Sequence, residues 1–284
     1  MTKEEQEQQQ IDNKLDNSST SDENTAKSHG EILKEQICEG QEVYKKSPLS
    51  ILVSSFTAGL EIGFSYLLLA SLFFFLHGKV EEDTAFKMLS FVYPFGFIMV
   101  IVGQSILFTE QTSLLTLPVL NKKQSSKNLF KLWGLVISGN LLGGWAMAAV
   151  LVWIGPELHI FDAETISKIA IHVTDYSMWV ILVSAILAGW LMGLLSWVVT
   201  SSKDTISRIF IIYLITAVLS FAGLHHSIVG NVEVFAGLLV PSSLSIGDYA
   251  VFQGVALLGN AIGGAVFVAL LKYRAFVTNI KSNQ

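Results

Sequence analysis

The chain has 284 residues, 51% of them from the set AVILMFWYC and only 14% charged, with a formal net charge of −5. Mean hydropathy is +0.54. That balance excludes a soluble enzyme, a nucleic-acid binder and a disordered chain, because so much apolar surface needs lipid to cover it. The charges are also unevenly placed: eleven of the 23 acidic residues precede Lys45.

Residues 1–29 are rich in Glu, Gln, Asn, Ser and Thr. They carry too little apolar surface to offset their ordering entropy, so they read as a disordered acidic tail. The stretch is neither basic nor apolar and does not resemble a signal peptide. Over 30–46 the residues Ile32, Leu33, Ile37, Val43 and Tyr44 recur among charges. That pattern suits an amphipathic segment lying along the membrane face, with a solvated tether as the equal alternative. Cys38 is the sole cysteine, which excludes an intramolecular disulfide, and nothing beyond its position supports palmitoylation. The transmembrane body occupies 47–275, and 276–284 form a short tail.

About 20 apolar residues cross a bilayer as a helix. Candidate spans cover 49–76, 88–109, 132–155, 178–200, 209–240 and 249–271. The fifth is too long for one helix and contains Gly223, His225, His226, Gly230, Asn231 and Glu233, so it reads as two half-helices broken near the histidines. The second is followed by Thr109, Glu110 and Gln111, and then by an apolar run around Pro118, as in an interrupted or re-entrant element. The expected fold is therefore all-α: a polytopic membrane protein of six transmembrane helices, the second and fifth broken.

Basic residues orient the spans. Lys45, Lys46, Lys122, Lys123, Lys127, Lys131, Lys203, Arg208, Lys272, Arg274 and Lys281 flank one side, and only Lys79, Lys87 and Lys168 the other. Both termini are expected in the cytoplasm, in a cell or inner membrane.

A repeat runs through the small residues. Gly139-Asn140-Leu141-Leu142-Gly143-Gly144 returns as Gly259-Asn260-Ala261-Ile262-Gly263-Gly264, 120 positions on, and the same offset takes Gly103 to Gly223. Ala58-Gly59-Leu60-Glu61-Ile62-Gly63 matches Ala188-Gly189-Trp190-Leu191-Met192-Gly193 at an offset of 130. Glycines at this spacing ordinarily just let helices pack closely. Three motifs in register in both halves instead predict an inverted 3+3 repeat, a transport architecture with its pathway at the repeat interface.

Several of these residues resemble the formate/nitrite transporter family. Leu224-His225-His226-Ser227-Ile228 resembles the family's broken fifth helix, and Leu107-Phe108-Thr109 its Leu-Phe-Thr at the second break. The Gly-Asn-x-x-Gly-Gly pairs and Lys46-Ser47-Pro48 also fit, over roughly residues 30–275. The resemblance implies a homopentamer of aquaporin-like protomers, each with its own pore for a small anion or weak acid. It makes His226 the central pore histidine, faced by Thr109 and followed by Ser227, and it places Tyr93, Phe97 and Phe108 at constrictions. Independently, an anion entering an apolar constriction loses hydration worth several kcal/mol. Crossing as the neutral acid avoids much of that, and a histidine, whose ordinary pKa is about 6.5, suits the proton handling. His225 either faces the protein or supplies a second relay site.

The chain also departs from the family pattern. Gly189 stands where the family has an asparagine in the fourth helix, and Asn231 is displaced by one, with Gly230 in its place. The family's lysine before the fourth helix has no clear equivalent, Lys168 lying too far upstream and His172 nearer. Three acids are added: Glu61, Glu110 and Glu233. Glu110 and Glu233 follow the two breaks, where they either line the pathway and relay protons or pair with His225 and cap helix ends.

The expected function is a channel-like transporter of a small monovalent anion or its conjugate acid, proton-linked through His226. The alternatives are a pathway for a cation or neutral solute using the glutamates, and a membrane sensor or scaffold with the N-terminus as a partner-binding arm. An enzyme is not expected: HExxH, GxSxG and paired metal-ligand spacings are missing from the sequence, and no cofactor, metal or nucleic acid is called for.

Overall fold

The computed structural model describes residues 2–18 and 26–282, and every regular element among them is helical. In chain order these are α1 (Lys3–Asn17), α2 (His29–Lys45), α3 (Pro48–Leu76), α4 (Glu82–Met88), α5 (Pro94–Val102), α6 (Phe108–Leu114), α7 (Thr116–Leu120), α8 (Ser126–Glu157), α9 (Ala163–Thr174), α10 (Met178–Ser201), α11 (Thr205–Phe221), α12 (Ser227–Leu238), α13 (Ile246–Ile262) and α14 (Leu271–Ser282). A 3-10 turn, Leu89–Phe91, joins α4 to α5, and a π-helical stretch, Gly263–Leu270, joins α13 to α14. Five continuous runs are long and apolar enough to cross a membrane: α3, Glu82–Val102, α8, α10 and Ile246–Ile280. The shorter apolar helices α11 and α12 lie between the last two.

Four of the five membrane-length runs start where polar caps take up free amides of the first turn. Ser47, Ser125, Ser177 and Ser245 each accept from a backbone N–H three residues on, and Pro48 occupies the first turn of α3. α3 packs along α8, and α10 along α13. The glycines bring the backbones together: a Cβ on Gly59 would strike the Asn140 carbonyl and Gly144, and one on Gly189 would strike the Asn260 backbone. The departure at Gly189 thus has a packing cause, since α10 could not lie this close to α13 with a side chain there.

Helix α5 ends at Val102 and the chain resumes helix at Phe108; α11 ends at Phe221 and α12 begins at Ser227. Asn140 and Asn260 tie down these two interruptions in the same way. Asn140 Oδ1 accepts from Phe108 N at 2.8 Å, while its Nδ2 donates to the carbonyls of Ser55 and Ile106. Asn260 Oδ1 accepts from Ser227 N at 2.8 Å, and its Nδ2 donates to Ala185 and His225.

One pairing read from the sequence is corrected here. Gly103 is right-handed, with φ −73°, whereas Gln104 turns the chain at φ 61°, matching Gly223 at φ 65°. The residue that turns left-handed before α6 is therefore Gln104, one after Gly103, the glycine that the sequence aligns with Gly223. Nothing crowds Gly223, so Gly223→Ala is expected to cost only the left-handed strain, about 1 kcal/mol, and Gln104→Gly to relieve a similar amount. Unfolding midpoints of the two variants in detergent check this.

The N-terminal segment is the second correction. Where residues 1–29 read as disordered, Lys3–Asn17 form a helix opened by a reciprocal cap between Thr2 and Glu5. Ile11 and Leu15, one turn apart, are buried against Ile32, Leu33 and Ile37 of α2 and Tyr273 of α14. Asp12 pairs with Lys123 at 2.5 Å, and Gln8 donates to Asn121. The rest of the predicted tail at 19–25, and the last residues of the predicted C-terminal tail at 283–284, lie outside the described residues. The amphipathic segment over 30–46 is α2, whose buried face includes Ile32, Leu33, Ile37 and Val43.

Candidate pore site

The starts of α6 and α12 meet in the protein interior. His226 is the N-cap of α12, extended at φ −105° and ψ 120°, and its Nδ1 accepts from Val229 N at 3.2 Å. Because Nδ1 accepts there, the ring proton sits on Nε2, which donates to Thr109 Oγ1 at 2.8 Å. Both side chains are buried, and the Phe97 ring meets the imidazole edge-on at 5.0 Å with Tyr93 stacked beyond it at 5.3 Å.

Two cavities share no lining residue: one is lined by His226, the other by Glu110 and Gln111, which follow Thr109 in the chain. The first, of about 80 Å³, is lined by His226, Glu233, Tyr93, His225, His172 and Tyr176 with apolar neighbours. It lies at the face that carries α9. It continues into a wider opening bounded by Asp83, Lys87, Trp179 and Ser184. The second, of about 540 Å³, is lined by Glu110, Gln111, Gln104, Arg208, Lys46 and the α2 acids Glu35, Glu39 and Glu42. It lies at the face that carries α2.

The remaining candidates fall as follows. Ser227 is fully buried beside His226; its N–H is held by Asn260, and its carbonyl accepts from Gln253 at 3.2 Å. His225 is occupied on both ring nitrogens: Nε2 donates to the Val173 carbonyl at 3.1 Å, so Nδ1 accepts from Ser184 Oγ at 2.8 Å. Those bonds pin α9 and α10 to the chain between α11 and α12, while the residue also borders the first cavity. Phe108 is buried edge-on against Trp133 of α8 and lines neither cavity. Glu110 and Glu233 line different cavities, and Glu61 lines neither, one of its oxygens being buried without a hydrogen-bond partner. Asn231 accepts from the Tyr249 hydroxyl at 2.6 Å and donates to the Leu141 carbonyl, so it braces α12 against α8 and α13.

Sequence reasoning did not anticipate the α2 acids, Arg208 or Gln111 as cavity lining. Arg208 carried only an orientation signal there. His172 lines the first cavity, but burial holds its imidazole below the ordinary range, Asp83 and Glu82 pulling it up and Lys87 pushing it down. It is therefore not a fixed cation standing in for the family's lysine. Lys168 is engaged by Glu82 and Glu164. No group of three or more His, Cys, Asp or Glu fit to hold a metal occurs among the described residues.

Thr109→Val keeps the shape but removes the acceptor for the His226 N–H. Leaving that donor unpaired costs about 1–3 kcal/mol, and a roughly tenfold or greater fall in flux is expected, with Thr109→Ser near wild type. Solute uptake by reconstituted vesicles distinguishes the two.

The profile of the formate/nitrite transporter family matches residues 30–274. The chain is 31% identical over 255 residues to the Escherichia coli inner membrane protein YfdC, covering 87% of this chain and 78% of that one. It is 27% identical over 237 residues to the Escherichia coli nitrite transporter NirC, covering 79% and 82%. Among solved structures, an FNT family ion channel superposes with TM-score 0.79 at 21% identity, covering 86% of this chain and 98% of that one. A pentameric formate channel with formate bound superposes with TM-score 0.70 at 19% identity, covering 82% and 99%. An all-helical fold around apolar spans, with this likeness along its length, defines a multi-pass membrane transport protein. The chain belongs to the formate/nitrite transporter family, whose members are transporters and channels rather than enzymes.

Proposed function

We propose that the protein carries a small monovalent anion, or its conjugate weak acid, across the cell membrane between the two cavities, together with a proton. The observation that supports this reading most is the buried His226–Thr109 contact, with His226 lining the first cavity and Glu110, the residue after Thr109, lining the second. An oxyanion arriving there takes the imidazole N–H as donor while Thr109 turns its hydroxyl proton toward the ligand. Three backbone donors at the helix starts, Phe108 N, Ser227 N and Val229 N, are taken by Asn140, Asn260 and His226 itself. Tyr93 and Phe97 form the apolar narrowing on the α9 side, where an anion stripped of water is penalised and a neutral acid is not. Glu110 and Glu233 complete the lining, Ser227 and Phe108 act through their packing, and His225 holds the frame.

In this reading the six spans form an inverted repeat, with the matched Asn140 and Asn260 contacts as its internal symmetry. Gln104 and Gly223 mark the turns of the two broken helices. The α2 face and both termini are cytoplasmic, following the lysine and arginine distribution. Five protomers associate, each with its own path, as the superposed formate channel does by its description.

The test is flux of formate, nitrite and hydrosulfide into proteoliposomes between pH 5 and 8. Acid-stimulated uptake of at least one supports the reading; a folded, oligomeric protein that moves none removes it. A second reading, cation passage, is motivated by Glu110 and Glu233 in the lining. Electroneutral formate uptake that ignores replacement of the cations disposes of it.

A further inference from the structure

Building on the proton-linked anion reading, we infer that Glu233 and Glu110, and not His226, exchange the transported proton, Glu233 with the outer solution and Glu110 with the inner. A proton relay through imidazole must take up a proton on one ring nitrogen and release it from the other. In His226 the first step is blocked. Nδ1 points at the Val229 N–H it caps, and a proton added there would set two donors against each other inside a buried helix start. Nε2 already carries its proton toward Thr109. The imidazole is therefore a fixed donor.

The two carboxyls are placed differently. Glu233 lines the outer cavity on the same wall as His226, and Glu110 follows Thr109 directly and lines the inner one. Neither carboxyl has a hydrogen-bond or ion-pair partner among the described residues, so both oxygens of each remain available to solvent or substrate. Around Glu233 the facing polar groups are Tyr66 of α3, Tyr93, His172 of α9, Tyr176, His225 and His226, and the Tyr66 hydroxyl is buried without a partner. Around Glu110 they are Glu35, Glu39 and Glu42 of α2, Lys46, and Arg208 of α11, with the buried and unpartnered Gln111 Oε1 beside it. Glu35 is paired with Lys27 and Glu42 with Lys45, which leaves Glu39, Lys46 and Arg208 as the charges that Glu110 meets.

The cycle balances. A carboxylate or nitrite anion in the outer cavity takes the proton of neutral Glu233, leaving its carboxylate, and the neutral acid passes the His226 N–H. On the inner side it gives the proton to ionised Glu110 and leaves as the anion. Glu233 is reprotonated from the outer solution and Glu110 deprotonates into the inner vestibule, so one proton and one anion move together.

The experiment is formate flux into vesicles of fixed orientation with outer and inner pH varied separately, comparing wild type, Glu233→Gln, Glu110→Gln and the conservative Glu233→Asp and Glu110→Asp. A single-proton site gives up to about tenfold change per pH unit on its own side. Glu233→Gln should flatten the outer dependence to less than about twofold and leave the inner one; Glu110→Gln should do the converse, with the aspartates restoring each. Elution as the wild-type oligomer confirms that the variants fold. Wild-type sidedness in both glutamine variants, or flattening of both sides by either one, overturns the assignment alone. Absence of formate flux in folded wild type overturns the anion reading beneath it.

Discussion

His226→Ala is expected to lower acid-stimulated formate uptake by about tenfold to a hundredfold. The N–H donated toward Thr109 is the donor that an oxygen of the passing acid meets between the two cavities, and a buried polar group left unpaired costs roughly 1–3 kcal/mol. The same side chain caps α12, so alanine also removes a cap, which costs about 1 kcal/mol of stability. The two losses separate with His226→Asn. An asparagine at the same position accepts from Val229 N and keeps the cap, so its unfolding midpoint should match wild type while its flux remains reduced. Uptake by folded His226→Ala equal to wild type would sink the central role assigned to this residue.

Asn140→Ala and Asn260→Ala are each expected to destabilise the protein by about 2–4 kcal/mol. Each asparagine satisfies three backbone groups, two of them at a helix interruption where no intrahelical partner exists. Buried groups left unpaired cost about 1–3 kcal/mol apiece, and within lipid there is no water to replace the lost partner. Leu142, which is exposed on α8, provides the comparison: Leu142→Ala removes apolar surface facing lipid and should change stability by about 0.5 kcal/mol or less. Denaturant titration in detergent measures both. Asparagine variants no weaker than Leu142→Ala would mean that the interruptions are held by something else.

The runs 49–76, 132–155 and 178–200 each fall inside one helix, because a continuous apolar stretch bounded by hydroxyl caps has a single solution in lipid. Finer detail depended on contacts that the sequence does not display. The repeat was legible as glycine identities, but the turn into α6 is defined by backbone angle, and Gln104 adopts it without being a glycine. Order in α1 escaped notice because composition averages over residues, whereas two apolar side chains spaced four apart suffice once α2 and α14 offer a surface. Glu61, Glu110 and Glu233 looked alike as acids in apolar surroundings. Their separation into a packed position and two different cavities arises from the crossing of α3, α6 and α12, which no local pattern encodes. The α2 acids become cavity lining only because α2 folds back across the bundle.

That return of α2 also bears on how the protein can move. Tyr44 donates to the Leu115 carbonyl at 3.0 Å, and Gln36 reaches Ser196 and Thr200 of α10 at 2.8 and 3.0 Å. One rigid rod is thus riveted at one end to the α6–α7 segment and farther along to the fourth long span. Rocking the two halves of the bundle against each other would have to shear these rivets together. The molecule is braced like a framed doorway, so whatever passes is admitted by the side chains within the frame rather than by swinging whole helices.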